Sequence, residues 1–147
     1  MGHGSVKEYW GSTQIITRGR IHDAADLPGF IALLGEDPVG LVTYHISENE
    51  CEIVSLNSLV VDRGIGTALL AEVKERAAEA GCQRIWLITT NDNLAAMRFY
   101  QRRGFSFAAI HVNALEETRR LNPELSLTGL DEIPLSDEIE LELLLTG

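Results

Sequence analysis

The sequence predicts an α/β (α+β) protein built on a mixed, partly antiparallel sheet carrying helices. Three observations point there. An alternating run, Val39–Ser47, is turned by Glu48-Asn49 into a long strand, Cys51–Val61, the pattern of a hairpin. That strand breaks at Gly64-Ile65-Gly66 and continues with Leu69, Leu70, Val73 and Ala77 on one helical stripe. Beyond that helix, short apolar runs alternate with helical stretches, and the chain closes on DEIELELLL, which alternates cleanly.

In chain order, Val6 to Trp10 reads as the tail of a helix ending at Gly11-Ser12. Gln14–Thr17 and Phe30–Leu34 are short apolar runs, with His22–Pro28 as a turn-rich link between them. Gly35-Glu36-Asp37-Pro38 is a hairpin turn. Helix 66–80 stops at Gly81, a normal position for a left-handed residue after a helix. Arg84–Thr90 (RIWLITT) reads as a strand buried on both faces. Helix 94–103 opens after Asn or Asp caps and ends at Gly104, with Arg102 and Arg103 in its last turn. Phe105–Val112 is a strand, Ala114–Leu121 a short helix, Pro123–Pro134 a long irregular loop and Asp137–Leu145 the last strand. There are no internal repeats and no low-complexity linkers, so residues 1–147 are expected to form one domain, long enough to bury a core.

Composition narrows the function. A net charge of −10 argues against nucleic acid as a partner. No apolar run approaches twenty residues and no signal-peptide pattern opens the chain, so no membrane is expected and the location is read as cytoplasmic. Cys51 and Cys82 are expected to be buried free thiols. The charge is unevenly spread: residues 63–103 come to +3, residues 1–62 to −6 and residues 104–147 to −7. The acidic remainder suits a cationic acceptor, or is a solubilising surface.

The basic segment contains the strand–glycine–helix turn. Glycines let the backbone approach a ligand, first-turn N–H groups have no partner within the helix, and the helix dipole favours an anion there. No acid stands in the first turn before Glu72. A dinucleotide fold would place a third glycine where Leu69 stands, and a nucleotide-hydrolase loop would want Lys and Ser/Thr where Thr67-Ala68 stand. A plain tight strand–helix connection is the other reading.

Thirty residues on comes Asn91 to Phe105, NDNLAAMRFYQRRGF. Together with GIGTALL it resembles the GNAT superfamily of acetyl-CoA-dependent N-acetyltransferases, in a compact, bacterial-type form. The family's R/Q-x-x-G-x-G/A turn is matched by Gly64 and Gly66. Its N-x-x-A-x-x-F/Y-Y-x-x-x-G-F motif is matched by Asn93, Ala96, Phe99, Tyr100, Gly104 and Phe105. Val61 stands where the family has Arg or Gln, and the turn is short. The resemblance spans roughly residues 30 to 147 and implies a single mixed sheet, antiparallel at first, with helices on both faces. Members open with one more strand and most of a helix. Residues 1–28 are therefore read as a shortened N-terminal part, with the first strand missing.

The resemblance also implies a reaction: acyl transfer from acetyl-CoA, the co-substrate, to a small-molecule or peptide amine, by direct attack in a ternary complex. It places pantetheine against the strand edge at Leu59, Val60 and Val61. Pyrophosphate falls on the N–H groups of Arg63, Gly64, Ile65, Gly66 and Thr67. Asn93 orders the loop and contacts the cofactor arm, or is purely a helix cap. Tyr100 is the implied proton donor to the departing sulfur, its phenol being a weak acid suited to a thiolate; the alternative is a Tyr packed beside Phe99. Glu52 is the candidate base, in a stretch with Ile53, Val54 and Leu56, against ordered water or a solvated carboxylate. Asn57 would mark a splay or bulge in its strand. Cys51 has no adjacent His and is not read as a covalent relay.

His22, His45 and His111 are not grouped at ligand spacing, and no metal is expected. His111 either touches substrate or is structural. Arg18 and Arg20 face the acceptor or lie on the surface. The acceptor-recognising parts are the N-terminal segment and the loop 114–134. An alternative of a different class is a CoA-binding module without catalysis, acting as a sensor or interaction domain. A homodimer is expected from the uncovered sheet edge, through terminal strands or the segment around Tyr9 and Trp10.

Overall fold

Alternation of β-branched and aromatic residues builds the first half of the chain around two consecutive hairpins. The computed structural model describes residues 6–10, 14–17, 20–23, 27–58 and 64–145. They form β1 (Val6–Trp10), β2 (Gln14–Thr17), β3 (Arg20–Asp23), β4 (Pro28–Leu34), β5 (Asp37–Ser47), β6 (Glu50–Ser58), α1 (Ile65–Glu79), β7 (Arg84–Thr90), α2 (Leu94–Gln101), β8 (Ser106–His111), α3 (Ala114–Leu121) and β9 (Glu138–Leu144). Two compact units emerge: one holds β1 and Asp23–Ile85, the other Trp86–Leu144. β2 and β3 pair as a separate two-stranded ribbon.

In the first unit the strands lie in the order β1-β4-β5-β6. β4 and β5 are antiparallel across Gly35-Glu36, where Gly35 has φ 67. β5 and β6 are antiparallel across Glu48-Asn49, both left-handed at φ 52 and 65. Two left-handed central residues make the turn whose twist matches the strands it joins; Asn tolerates that region and Glu48 adopts it against its preference. Val54 is the extra residue between Ile53 and Ser55, opposite Thr43 and Tyr44, so the bulge falls there and Asn57 pairs in register with Leu41.

Leu69, Leu70, Val73 and Ala77 of α1 are all buried, as their spacing predicts, with Val42, Tyr44, Cys51 and Ile53 of the strands. Burial of each such Leu or Val side chain contributes about 1.5–3 kcal/mol. Gly40 seats the helix. A Cβ there would stand 2.6 Å from Ile65 Cγ2 and 3.1 Å from Leu69 Cδ1, so the first turn of α1 lies directly on the backbone of β5. The N-terminus of that helix is thereby fixed by packing.

The N-terminal expectation is corrected. Val6–Trp10 is no helix tail but a strand, antiparallel to β4 with Tyr9 opposite Gly29, and it occupies the end of the β1-β4-β5-β6 run. The first strand is therefore present. Five residues are too few for periodicity to separate the two forms, and the pairing partner decides. The expected link His22–Pro28 is also shorter, because His22 and Asp23 belong to β3.

In the second unit the strands lie in the order β7-β9-β8. β8 and β9 are antiparallel, with Ala108 bulged between Phe107 and Ala109. β9 therefore has neighbours on both sides, and it is β8 that ends this run. Ile139 and Leu141 are buried as expected, but so are Glu138 and Glu140 on the opposite face. β7 alternates, with Ile85, Leu87 and Thr89 buried and the residues between them half-buried.

Candidate active site

The glycine turn is built as its sequence demands. Gly64 is the N-cap of α1 at φ 69, ψ 14, a left-handed conformation that explains the glycine, and its carbonyl accepts from Ala68 N at 2.9 Å. It brings no capping side chain, and the first turn contains no acid. Among the described residues, no atom lies within 4 Å of a Cβ built on Gly64. Ile65, Gly66 and Thr67 form the first turn of the helix, whose N–H groups point outward along the axis. The arrangement attracts an anion. Leu59, Val60, Val61 and Arg63 lie outside the described residues.

The second motif folds as a capped helix. Asn93 is the N-cap of α2, its Oδ1 accepting from Ala96 N at 3.1 Å. Its own N–H donates to the Thr90 carbonyl at 3.0 Å. Gly104, at φ 96, reverses the chain after α2, and Phe105 N donates back to the Tyr100 carbonyl at 3.0 Å. That reversal brings Phe105 under Tyr100. The Tyr100 ring stands edge-on to Phe99 at 5.0 Å and to Phe105 at 5.2 Å, and it is the one buried side chain of the helix. Burial pushes the Tyr100 phenol above its ordinary 10.0, with Arg103 pulling weakly the other way. Arg103 is held beside it: its guanidinium lies 3.7 Å over the Phe99 ring and donates to the Phe99 carbonyl at 2.9 Å. Tyr100 is thus a protonated donor at neutral pH in a rigid aromatic frame.

Glu52 lies in β6 opposite His45 and is buried, 3% exposed. The reading as a solvated strand carboxylate is thereby excluded. Its neighbour Cys51 is fully buried, and burial, then Cys82 and Glu52, raise its thiol from 9.0 to about 12. A thiol so held is not a nucleophile at neutral pH. Folding therefore favours the protonated Cys51, a contribution that is complete below pH 9 and lost as pH rises from 9 toward 12. Denaturant titrations at pH 8 and pH 10 are expected to show the wild-type chain losing stability more steeply than Cys51→Ala. The difference should not exceed about 1.4 kcal/mol per pH unit.

His111 Nε2 lies 3.1 Å from Glu140 Oε1, across from β9, which supports the structural reading of this histidine. Among the described residues no three His, Cys, Asp or Glu are grouped as metal ligands. No helix among them is long and apolar enough to cross a membrane. Asn91 and Asp92, absent from the candidates read in the sequence, gather the segment 130–137 by hydrogen bonds from both side chains. Only the motif's NDN run hinted at them, because Asn and Asp before a helix read first as caps.

An acetyltransferase fold with this turn and this capped helix defines the class, and the acetyltransferase (GNAT) family model matches residues 5–105. The chain belongs to that family. It is 45% identical over 133 residues to the protein YdhI of Bacillus subtilis (strain 168), covering 90% of this chain and 83% of that one. A Bacillus subtilis acetyltransferase crystallised in complex with CoA superposes with a TM-score of 0.71 at 22% identity, over 82% of this chain and 78% of that one. A GNAT family acetyltransferase from Elizabethkingia anophelis with acetyl-CoA bound gives 0.72 at 20% identity, over 81% and 76%. These likenesses show the shared α+β fold.

Proposed function

We propose that this chain is an N-acyltransferase that moves an acetyl group from acetyl-CoA to an amine by direct attack in a ternary complex. The observation that carries the reading is the glycine-capped, acid-free N-terminus of α1, in a chain of this family. The diphosphate of CoA is assigned to the N–H groups from Arg63 to Thr67 and the pantetheine arm to Leu59–Val61, with Asn93 ordering the loop beside the arm.

In this reading the amine nitrogen attacks the thioester carbonyl carbon, and the C–S bond breaks as the tetrahedral intermediate collapses. Tyr100 gives its phenolic proton to the departing sulfur. Glu52 takes the proton that the attacking amine loses. The high thiol pKa of Cys51 supports a route without an acyl-cysteine intermediate. Acceptor selection is assigned to the 114–134 stretch, and the acidic balance outside 63–103 suits a cationic amine.

Acetyl-CoA consumption with a panel of benzylamine, spermidine, an alanine-initiated peptide and a lysine-containing peptide tests this. Turnover with at least one amine is the expected result. Acetyl-CoA binding with no turnover against any of them would instead identify a sensor or interaction module. We also infer a two-fold homodimer through terminal strands or the segment around Tyr9 and Trp10, and β8 (SFAAIH), which ends its run and exposes Phe107 and Ile110, offers one such edge. Light scattering at micromolar concentration should give twice the 16.2 kDa chain mass, and a monomer mass would remove the inference.

A further inference from the structure

We propose that Asn91 and Asp92 are positioning residues for acceptor recognition, registering the 122–137 segment against the start of the helix that carries Tyr100; the proposal rests on the acyl-transfer reading above. The segment needs such a device because burial does not locate it. No residue from Asn122 to Asp137 is buried, and Leu127 and Leu130 are 72% and 58% exposed. With little apolar area removed from water, hydrogen bonds set its place.

Four of those bonds converge on two consecutive side chains, while Arg119 Nη2 donates to the Ser126 and Leu135 carbonyls at 3.2 and 2.6 Å. Asn91 Oδ1 accepts from Ser136 N and Asp137 N, both at 3.1 Å, while its Nδ2 donates to the Pro134 carbonyl at 2.8 Å. Asp92 Oδ2 accepts from Leu130 N at 2.8 Å, and Thr90 Oγ1 donates to its Oδ1. Asp92 is 6% exposed, so these bonds are sheltered from water. The next residue, Asn93, caps α2. Three adjacent residues therefore tie the segment to the helix.

The segment is folded to receive them. Thr128 bridges Pro134, Leu135 N donates to the Leu127 carbonyl at 2.9 Å, and Gly129 N donates to the Ile133 carbonyl at 2.8 Å. Gly129 has φ −107, so its lack of a side chain answers to space rather than to conformation. A Cβ there would overlap the Asp92 carboxylate, at 2.7 Å from its Cγ, and stand 2.9 Å from Leu135 Cγ. The carboxylate fills the place of the missing side chain.

Three single substitutions and one double variant test the proposal, with acetyl-CoA and the best amine of the panel as probes. Asp92→Ala should speed amide exchange at Leu130 about tenfold, as loss of a sheltered acceptor implies. It should raise KM for the amine about 5–20-fold, a shift of the size expected when one positioning contact is lost. Acetyl-CoA affinity by calorimetry should stay within about twofold. Asp92→Asn should restore both values, because its amide oxygen accepts from Leu130 and its NH₂ donates to Thr90. Gly129→Ala should reproduce the Asp92→Ala behaviour, and the two changes together should cost less than their sum. An unchanged amine KM in both Asp92→Ala and Gly129→Ala, an equal loss of acetyl-CoA affinity, or an Asp92→Asn variant as impaired as the alanine would overturn it. The wild-type chain is measured in the same series. Absence of wild-type turnover therefore marks failure of the acyl-transfer reading, and wild-type turnover with unmoved variants marks failure of this one.

Discussion

Replacing Tyr100 with Phe is expected to lower the acyl-transfer rate about 10²-fold while acetyl-CoA affinity stays unchanged. The substitution removes one hydroxyl and keeps the ring, so the edge-on contacts with Phe99 and Phe105 survive. A rate loss therefore reports the proton and not the packing. Burial raises the phenol above 10.0, so the acid form persists through neutral pH and kcat should show no basic limb from Tyr100 below pH 10. Single-turnover measurements on the variant decide it. Wild-type turnover would reduce Tyr100 to a packing residue and leave the thiolate to depart through water.

Gly66→Val should weaken acetyl-CoA binding by about 10–100-fold, the cost of losing one or more hydrogen bonds to a charged group. Gly66 stands in the first turn of α1, immediately past the left-handed Gly64 cap, where a branched side chain would project toward an approaching diphosphate. The fold should persist, because the buried stripe from Leu69 to Ala77 and the seat on Gly40 lie elsewhere. Calorimetry on a variant with wild-type circular dichroism makes the comparison. Unchanged affinity in a folded Gly66→Val chain would remove the diphosphate from this turn.

The local elements were legible wherever short-range chemistry decides. The α1 stripe, Gly81 at φ 78 after the helix, Asn93 as a cap and α3 over Ala114–Leu121 follow from spacing, left-handed tolerance and side-chain capping. So did the glycine turn, because a left-handed N-cap without a side chain leaves few residues to choose from. These are properties of a few neighbouring residues, and the sequence determined them alone.

Tertiary structure decided the rest. Val6–Trp10 became a strand because β4 offered it a partner with Gly29 opposite Tyr9, which no five-residue pattern contains. Glu138 and Glu140 alternate like solvent-facing acids, yet β9 lies between β7 and β8 and both are buried, with Glu140 beside His111. Glu52 likewise sits at a position where the strand pattern left either environment open. The hold of Asn91 and Asp92 on residues 130–137 joins positions about forty apart. Hydrogen bonds of that reach leave no periodic trace, because the partners are backbone N–H and C=O groups that every residue supplies.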